Sequence, residues 1–355
     1  MADEVYRELA RRVDALPEGY PAPESEAALR FLQKLFTPKQ ALLASVMTEE
    51  VCSVDEIARR ARVEAGDAAG TLNDMGRLGL INVRYVEESG RPAVQYGLMP
   101  FVMGFYNTQL HRIDAEMAAL FEALFYEAGG RKAPNPPEHR VIPVEEAVRH
   151  DVEVQPYDHA LALIEGAKSW AVRDCICRTQ QGLVGKGCDA PLEVCISFAP
   201  IEGFFGDSRV DRAITKAEAL AKLREAAEAG LIHTLGNYRE NHYYLCSCCT
   251  CCCGLIRRWS EFAVPSAVAR SAYAADAEAD ACIACGACQE RCPVQAITVD
   301  AAAMVDAGRC IGCGQCTLVC PTDAIALVRR PDDEVFEIPL DEHALREQLR
   351  AARNE

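Results

Sequence analysis

One cysteine spacing occurs twice in the C-terminal third of the chain, and it constrains the fold more than any other feature. Each copy reads Cys-x-x-Cys-x-x-Cys-x-x-x-Cys-Pro. Several residues between the cysteines are small enough to let backbone N–H groups approach the sulfurs, namely Ala284, Gly286, Ala287, Gly312 and Gly314. The proline after each copy ends the short helix that carries the fourth cysteine. The two sets are Cys282, Cys285, Cys288 and Cys292, then Cys310, Cys313, Cys316 and Cys320.

This spacing is the one that folds three thiolates around a 4Fe–4S cube while the fourth cysteine reaches the other cube. Zinc sites instead use two Cys-x-x-Cys pairs set well apart. We therefore predict two 4Fe–4S clusters. The first is expected to be held by Cys282, Cys285, Cys288 and Cys320, and the second by Cys310, Cys313, Cys316 and Cys292.

Residues 276–330 resemble the bacterial two-cluster ferredoxins. The resemblance includes the Cys motifs and the segments that follow them, Pro-Val-Gln-Ala-Ile-Thr-Val and Pro-Thr-Asp-Ala-Ile-Ala-Leu. It implies a small electron-transfer domain at this end of the chain.

The N-terminal third predicts short helices followed by a hairpin. Helix starts are marked by Thr37-Pro38 and by the capping box that opens at Ser53. We expect helices at 26–36, 38–47, 54–61 and 65–78, and strands at 80–86 and 93–98. This order resembles a winged helix-turn-helix domain with its wing at Gly90. The resemblance rests on Val54, Ile57, Ala58, Leu72, Leu78, Leu80 and Ile81.

The helix expected at 65–78 is poorly equipped to read DNA. It carries Asp67 and Asp74 against Arg77, and Asn73 is its one candidate for a base contact. The formal net charge of −16 also repels phosphate. We therefore expect a protein-docking or dimerising module and no DNA binding.

Residues 101–128 predict one long helix with an aromatic and aliphatic stripe. Such a stripe is typical of a core or of a homodimer interface, and Gly129-Gly130 would end the helix. The Pro-rich segment 132–137 predicts a linker.

Ten more cysteines lie in the middle of the chain. The first four would close one site, whereas the last six cannot all bind one ion. Neighbours such as Cys248 and Cys249 point in opposite directions on an extended strand, so they would serve two centres or one large bridged centre. The ten are Cys175, Cys177, Cys188, Cys195, Cys246, Cys248, Cys249, Cys251, Cys252 and Cys253.

Three interpretations of these ten residues stay open. Further iron–sulfur clusters would make the chain a multi-centre relay. Zinc would suit the first four thiols. A redox-active disulfide would suit vicinal thiols near Arg257 and Arg258. The segment resembles a block found upstream of ferredoxin repeats in anaerobic bacteria, and its Cys252-Cys253-Gly254 is similar to the CCG elements of heterodisulfide reductase subunits.

Other residues near these cysteines are candidates for supporting roles. Arg173, Arg178 and Lys186 flank the first group and would offset the charge of an anionic cluster. His233 and His242 are candidate ligands.

These patterns predict an α+β multidomain chain, with a winged helix-turn-helix domain, a Cys-rich α/β middle domain and a ferredoxin-like dicluster domain. The length of 355 residues suits two or three cores. The expected segments are an N-terminal helix and connector at 1–25, the winged-helix domain with its long helix at 26–130, a linker at 131–140, the Cys-rich domain at 141–275, the dicluster domain at 276–330 and a tail at 331–355.

We expect a cytoplasmic protein, since no signal peptide or membrane span is recognisable in the sequence. Nineteen cysteines in a reducing compartment indicate metal binding rather than disulfides, and the isolated Cys52 predicts a small buried hydrophobe. Acidic residues of the ferredoxin segment outnumber Arg291 and Arg309. Its surface would therefore meet a basic patch on a redox partner.

The favoured function is electron transfer by an iron–sulfur protein of an anaerobe. No dinucleotide fingerprint or phosphate-binding loop appears in the sequence, so an electron carrier is favoured over a catalyst. The alternatives are a redox-sensing winged-helix regulator and a reductase acting at Cys246–Cys253.

Overall fold

The computed structural model describes residues 2–88, 91–129, 135–144, 159–208, 210–262, 264 and 267–354. The chain divides into two compact units, Met1–Arg131 with Leu349–Glu355, and Lys132–Gln348. The Cys-rich and ferredoxin segments share the second unit. No helix of the described part is both long and apolar enough to cross a membrane.

The first unit begins with five helices and a hairpin, in the predicted order. Ser25, Thr37 and Ser53 cap α2, α3 and α4 by accepting backbone N–H bonds. Gly90 of the expected wing lies outside the described residues, and the winged-helix assignment stays a prediction. The bounds are α1 Ala2–Asp14, α2 Glu26–Leu35, α3 Pro38–Ser45, α4 Val54–Ala61, α5 Ala65–Arg77, β1 Ile81–Glu88 and β2 Arg91–Leu98.

The prediction of one helix over 101–128 is wrong. A π-helical turn covers Phe101–Tyr106 and contains Gly104 at φ −130° and ψ −115°. A 3₁₀ turn follows, and α6 starts afresh at Ala115–Ala128 under a cap by Asp114. The break lets the side chain of Gln109 donate to the carbonyl oxygen of Leu78 at 3.1 Å.

A six-stranded antiparallel sheet forms the first part of the second unit, in the order β3-β7-β8-β5-β4-β6. Helices α7 and α9 pack on one face through Ile164, Ala219 and Leu245. The bounds are β3 His139–Val141, α7 Ala160–Gly166, β4 Ser169–Asp174, α8 Ile176–Leu183, β5 Glu193–Ala199, β6 Arg212–Ile214, α9 Lys216–Glu228, β7 Ile232–Gly236, β8 Tyr244–Cys248 and α10 Gly254–Phe262.

The ferredoxin segment forms two small antiparallel sheets, β9 with β12 and β10 with β11. The residues expected to be a tail instead contain a helix, α12. Its Leu345 and Leu349 lie four residues apart on one face and are buried. The bounds are β9 Tyr273–Ala277, α11 Ala287–Arg291, β10 Ile297–Val299, β11 Ala303–Val305, β12 Ile325–Arg329 and α12 Glu342–Asn354.

Arg291 joins the ferredoxin segment to the end of α9. Its Nη2 donates to the carbonyl oxygens of Ala227 and Glu228, both at 2.7 Å, where the helix dipole favours a cation. Its Nε donates to Gln315 Oε1 at 3.1 Å, and Gln315 Nε2 donates to the carbonyl oxygen of Leu231 at 2.8 Å. The two segments are thus held together by charge-assisted bonds.

We expect Arg291→Met to lower the free energy of unfolding of the second unit by about 2 kcal/mol, because it removes bonds to the α9 carboxyl end. Anaerobic thermal unfolding measures the loss. Arg309→Met is the matched control, since Arg309 is exposed and donates only from its Nη2 to Val294 O among the side-chain bonds described. Equal effects of the two substitutions would contradict the assignment.

Candidate metal centres

The first four predicted cluster ligands line one cavity, called here the outer cavity. It is formed by Cys282, Cys285, Cys288 and Cys320, and so includes a cysteine from the second motif. The backbone N–H groups of Ala284 and Ala303 both donate to Cys282 Sγ at 3.4 Å. Cys285 is exposed, so this cavity reaches the surface of the unit.

The other four line a second cavity, the inner cavity, formed by Cys292, Cys310, Cys313 and Cys316. The N–H of Ala275 donates to Cys310 Sγ at 3.4 Å and that of Ala296 donates to Cys292 Sγ at 3.2 Å. Burial raises the pKa of the Cys313 thiol to about 12. Such thiols lose their protons readily only to a bound metal.

Both cavities suit a 4Fe–4S cube. Each offers four thiols and backbone donors aimed at sulfur, which is the environment that stabilises anionic clusters. Between two inner ligands, Gly312 has φ +69°, and a Cβ there would collide with Ser271 Oγ and the carbonyl oxygen of Tyr273. Glycine is therefore required for the backbone to fold around the inner cavity.

Six of the ten middle cysteines lie together in a closed ring, called here the thiol ring, in which each thiol perturbs the pKa of two neighbours. In order around the ring they are Cys175, Cys177, Cys253, Cys248, Cys246 and Cys195, which is again a neighbour of Cys175.

Strand periodicity and two helix starts build the ring. Cys246 and Cys248 lie on the same face of β8, and the pairing of Ile196 with Leu245 sets Cys195 beside Cys246. Cys175 is the N-cap of α8, and Cys177 is in its first turn. Cys253 immediately precedes α10. Helix N-termini favour thiolates at these positions.

The pKa values within the ring are shifted in opposite directions. Hydrogen bonds from Cys177 and Cys195 hold the pKa of Cys175 well below its usual value. The pKa values of Cys177 and Cys195 are raised in turn by their interaction with Cys175.

The other four thiols make a compact set, called here the four-thiol group. It consists of Cys188, Cys249, Cys251 and Cys252, whose sulfur atoms all lie within 4.8 Å of one another. Cys188 Sγ is 4.0 Å from Cys249 Sγ and 3.7 Å from Cys252 Sγ, and Cys252 Sγ is 3.7 Å from Cys251 Sγ. Cys188 and Cys251 are exposed.

The grouping of the middle cysteines differs from the one considered from the sequence. Cys188 leaves the first four because the loop after α8 carries it to the turn beyond β8. The last six divide between both sets, because Cys248 and Cys249 point in opposite directions where β8 ends, as the strand period predicts. Of the next pair, Cys252 belongs to the four-thiol group and Cys253 to the thiol ring.

Arg178 lies between the two sets. It is 4% exposed, and its Nη1 donates to the carbonyl oxygen of Ser247 at 3.1 Å and to Cys249 Sγ at 3.8 Å. Burial opposes its charge, but the thiolates of Cys175 and Cys249 outweigh that effect and raise its pKa. Its Nε and Nη2 are buried without a hydrogen-bond partner among the described residues.

The other predicted supporting residues are placed elsewhere. Arg173 pairs with Asp211 at 2.8 Å, so its charge is already offset. Burial lowers the pKa of His233 to about 4 and that of His242 to about 3, and neither belongs to the metal-binding group found in the described residues. The sequence identified Arg178 as a candidate to offset the charge of a cluster. It contained no signal that would place this residue between the thiol ring and the four-thiol group.

Comparison with known proteins identifies one domain. Residues 281–332 match the family model described as a 4Fe-4S dicluster domain. No curated protein and no solved structure matches the chain significantly. The chain therefore carries a 4Fe–4S domain at its C-terminal end and a cysteine group in its middle that has the geometry to hold a metal ion.

Each cavity takes one cysteine from the other motif, so double substitutions can test which cysteines hold the same cluster. We expect Cys292→Ala to remove about four irons per chain, and Cys292→Ala with Cys310→Ala to remove no more, because both thiols line the inner cavity. Cys292→Ala with Cys282→Ala should remove about eight. Iron and acid-labile sulfide analysis of anaerobically purified protein measures the loss, and Cys52→Ala is the control. Larger losses for the first pair than for the second would overturn the assignment.

Proposed function

We propose that the chain is an electron-transfer protein in which two 4Fe–4S clusters exchange electrons with a further iron–sulfur centre held by the thiol ring. The clusters supply one-electron chemistry, and the chain supplies ligands, hydrogen bonds and burial that tune it. The cysteines of both cavities would hold the two cubes. Six convergent thiols suit a polynuclear centre, because a single tetrahedral ion needs four.

The proposal rests on the packing between the inner cavity and the thiol ring. Cys313 lies in the same buried apolar cluster as Cys248 and Cys253. Ile311 and Val268 belong to that cluster too, and they keep water out of it. A charge that moves between the two sites would therefore cross a dry, closely packed path.

The ligands of the two cavities differ in burial, and this difference orders the path of the electrons. Cys310, Cys313 and Cys316 are all buried, whereas Cys285 of the outer cavity is exposed. Three ligands of each cavity pack in one further apolar cluster, which connects the outer cavity to the inner cavity. We infer that electrons enter or leave at the outer cavity.

The surface near the outer cavity has the features of a docking face. Ile283, which lines the cavity, is 62% exposed. Glu278 and Asp280 are exposed beside it in the chain. We propose that a redox partner with a basic, partly apolar patch binds here, since opposite charge steers encounter between electron-transfer proteins.

We propose a protein-docking or dimerising role for the winged-helix-like part. On α5, Arg77 pairs with Asp74 at 3.8 Å, and Asn73 Oδ1 accepts a bond from the Tyr96 hydroxyl at 2.7 Å. The residues that would read bases are thus engaged within the unit, which disfavours a DNA-binding regulator.

The decisive experiment is an anaerobic redox titration followed by electron paramagnetic resonance. We expect the wild-type protein to accept more than about two electrons, the capacity of two cubes. Cys248→Ser should remove the additional electrons and leave the two ferredoxin signals, because Cys248 belongs to the thiol ring.

Two controls separate the alternatives. Cys188→Ser, in the four-thiol group, is titrated alongside so that a metal held there is not counted with the ring. Cys52→Ser should behave as wild type. Absence of reversible low-potential reduction in the wild type would refute electron transfer. Turnover of a disulfide with reduced viologen, lost in Cys248→Ser, would favour the reductase instead.

A further inference from the structure

The four-thiol group has the dimensions of a site for one metal ion. Four sulfurs about 2.3 Å from a tetrahedral ion lie about 3.8 Å from one another. The measured separations are 3.7 Å for Cys188 and Cys252, 3.7 Å for Cys251 and Cys252, and 4.0 Å for Cys188 and Cys249. Three of the six sulfur–sulfur separations therefore match those around a single tetrahedral ion, and all six are within 4.8 Å.

The cluster cavities of the same chain provide an internal comparison. A cube carries its metals at separate corners, so its four ligands spread further apart than those of one ion. Among the described residues, the four sulfurs of the four-thiol group all lie within 4.8 Å of one another, whereas those of neither quartet in the cluster cavities do. The four-thiol group is thus too tight for a cube.

The ligand chemistry restricts the kind of ion. Four thiolates select soft or borderline cations such as Fe²⁺ and Zn²⁺, whereas Mg²⁺ and Ca²⁺ take oxygen ligands. A divalent ion with four thiolates retains a charge of about −2. Cys252 is buried, so part of that charge lies away from water and needs an internal counter-ion.

Arg178 supplies that counter-ion. Its position is evidence for the site that does not depend on the distances between the sulfurs. Its guanidinium contacts Cys249 Sγ at 3.8 Å, and two of its buried nitrogens, Nε and Nη2, have no hydrogen-bond partner among the described residues. Buried donors of a charged group are costly when they are unsatisfied. An anionic metal–thiolate site beside the guanidinium would offset that cost.

We propose that Cys188, Cys249, Cys251 and Cys252 bind a single tetrahedral iron or zinc ion, with Arg178 as the buried counter-ion between this site and the thiol ring. The site ties the loop that carries Cys188 to the turn after β8. It does not depend on electron transfer, since it is defined by the metal that the thiols hold.

The test counts metal and sulfide on anaerobically purified full-length protein. Cys188→Ser and Cys251→Ser each replace an exposed thiol, so the fold should tolerate them. Both should lose about one metal ion per chain with no loss of acid-labile sulfide. Whether iron or zinc disappears identifies the ion. Loss of several irons together with sulfide, or no loss of metal, would overturn the proposal.

Cobalt provides a second readout. Protein treated with Co²⁺ after mild chelation should show the intense absorption of a tetrahedral cobalt thiolate, and Cys188→Ser should abolish it while Cys52→Ser keeps it. Arg178→Met should speed chelator extraction of the ion by about tenfold or more, and Arg178→Lys should restore most of the retention because it keeps the charge. Equal extraction rates in both Arg178 variants and wild type would refute the counter-ion role.

Discussion

The second unit depends on the antiparallel register of β8. That strand is fixed between β7 and β5 by the pairing of Ile232 with Cys248 and of Ile196 with Leu245. Because successive side chains of a strand alternate, Cys246 and Cys248 turn to one side and Cys249 to the other. A shift by one residue would turn Cys246 and Cys248 to the other face of the sheet and away from Cys195. The chemistry of the middle segment is therefore a consequence of one register.

The second constraint is electrostatic. The chain has a formal net charge of −16, and the thiolates concentrate further negative charge in its interior. Arg178 lies among these thiols, and Arg291 meets the carbonyl end of α9. Each cation sits where an unpaired negative charge or dipole would otherwise be buried. Replacing Arg178 by an apolar residue should therefore disturb the thiol sets, whereas replacing Arg291 should weaken the contact between α9 and the ferredoxin segment.

The burial of the thiols follows a gradient along the unit. It runs from the exposed Cys285, through the buried Cys313, to Cys248 and Cys253 of the thiol ring. Exposure suits exchange with a partner, and burial protects a reduced centre from water and oxidants. The apolar contact between the inner cavity and the ring is the feature on which the proposed electron transfer between them rests.

Much of the fold and of the candidate site could be predicted from local sequence patterns. The spacing at Cys282 to Cys292 and at Cys310 to Cys320 predicts the dicluster domain that the family comparison identifies, since those ligands are close in sequence. Caps such as Ser53 fixed helix starts for the same reason. The prediction of one helix over 101–128 was wrong, because the chain breaks where the Gln109 side chain bonds to the carbonyl oxygen of Leu78. That contact is distant in sequence, so local periodicity does not encode it. The partition of the ten middle cysteines, and the place of Arg178 between them, were decided by the tertiary structure alone, because strand pairing and loop closure bring together residues far apart in the chain.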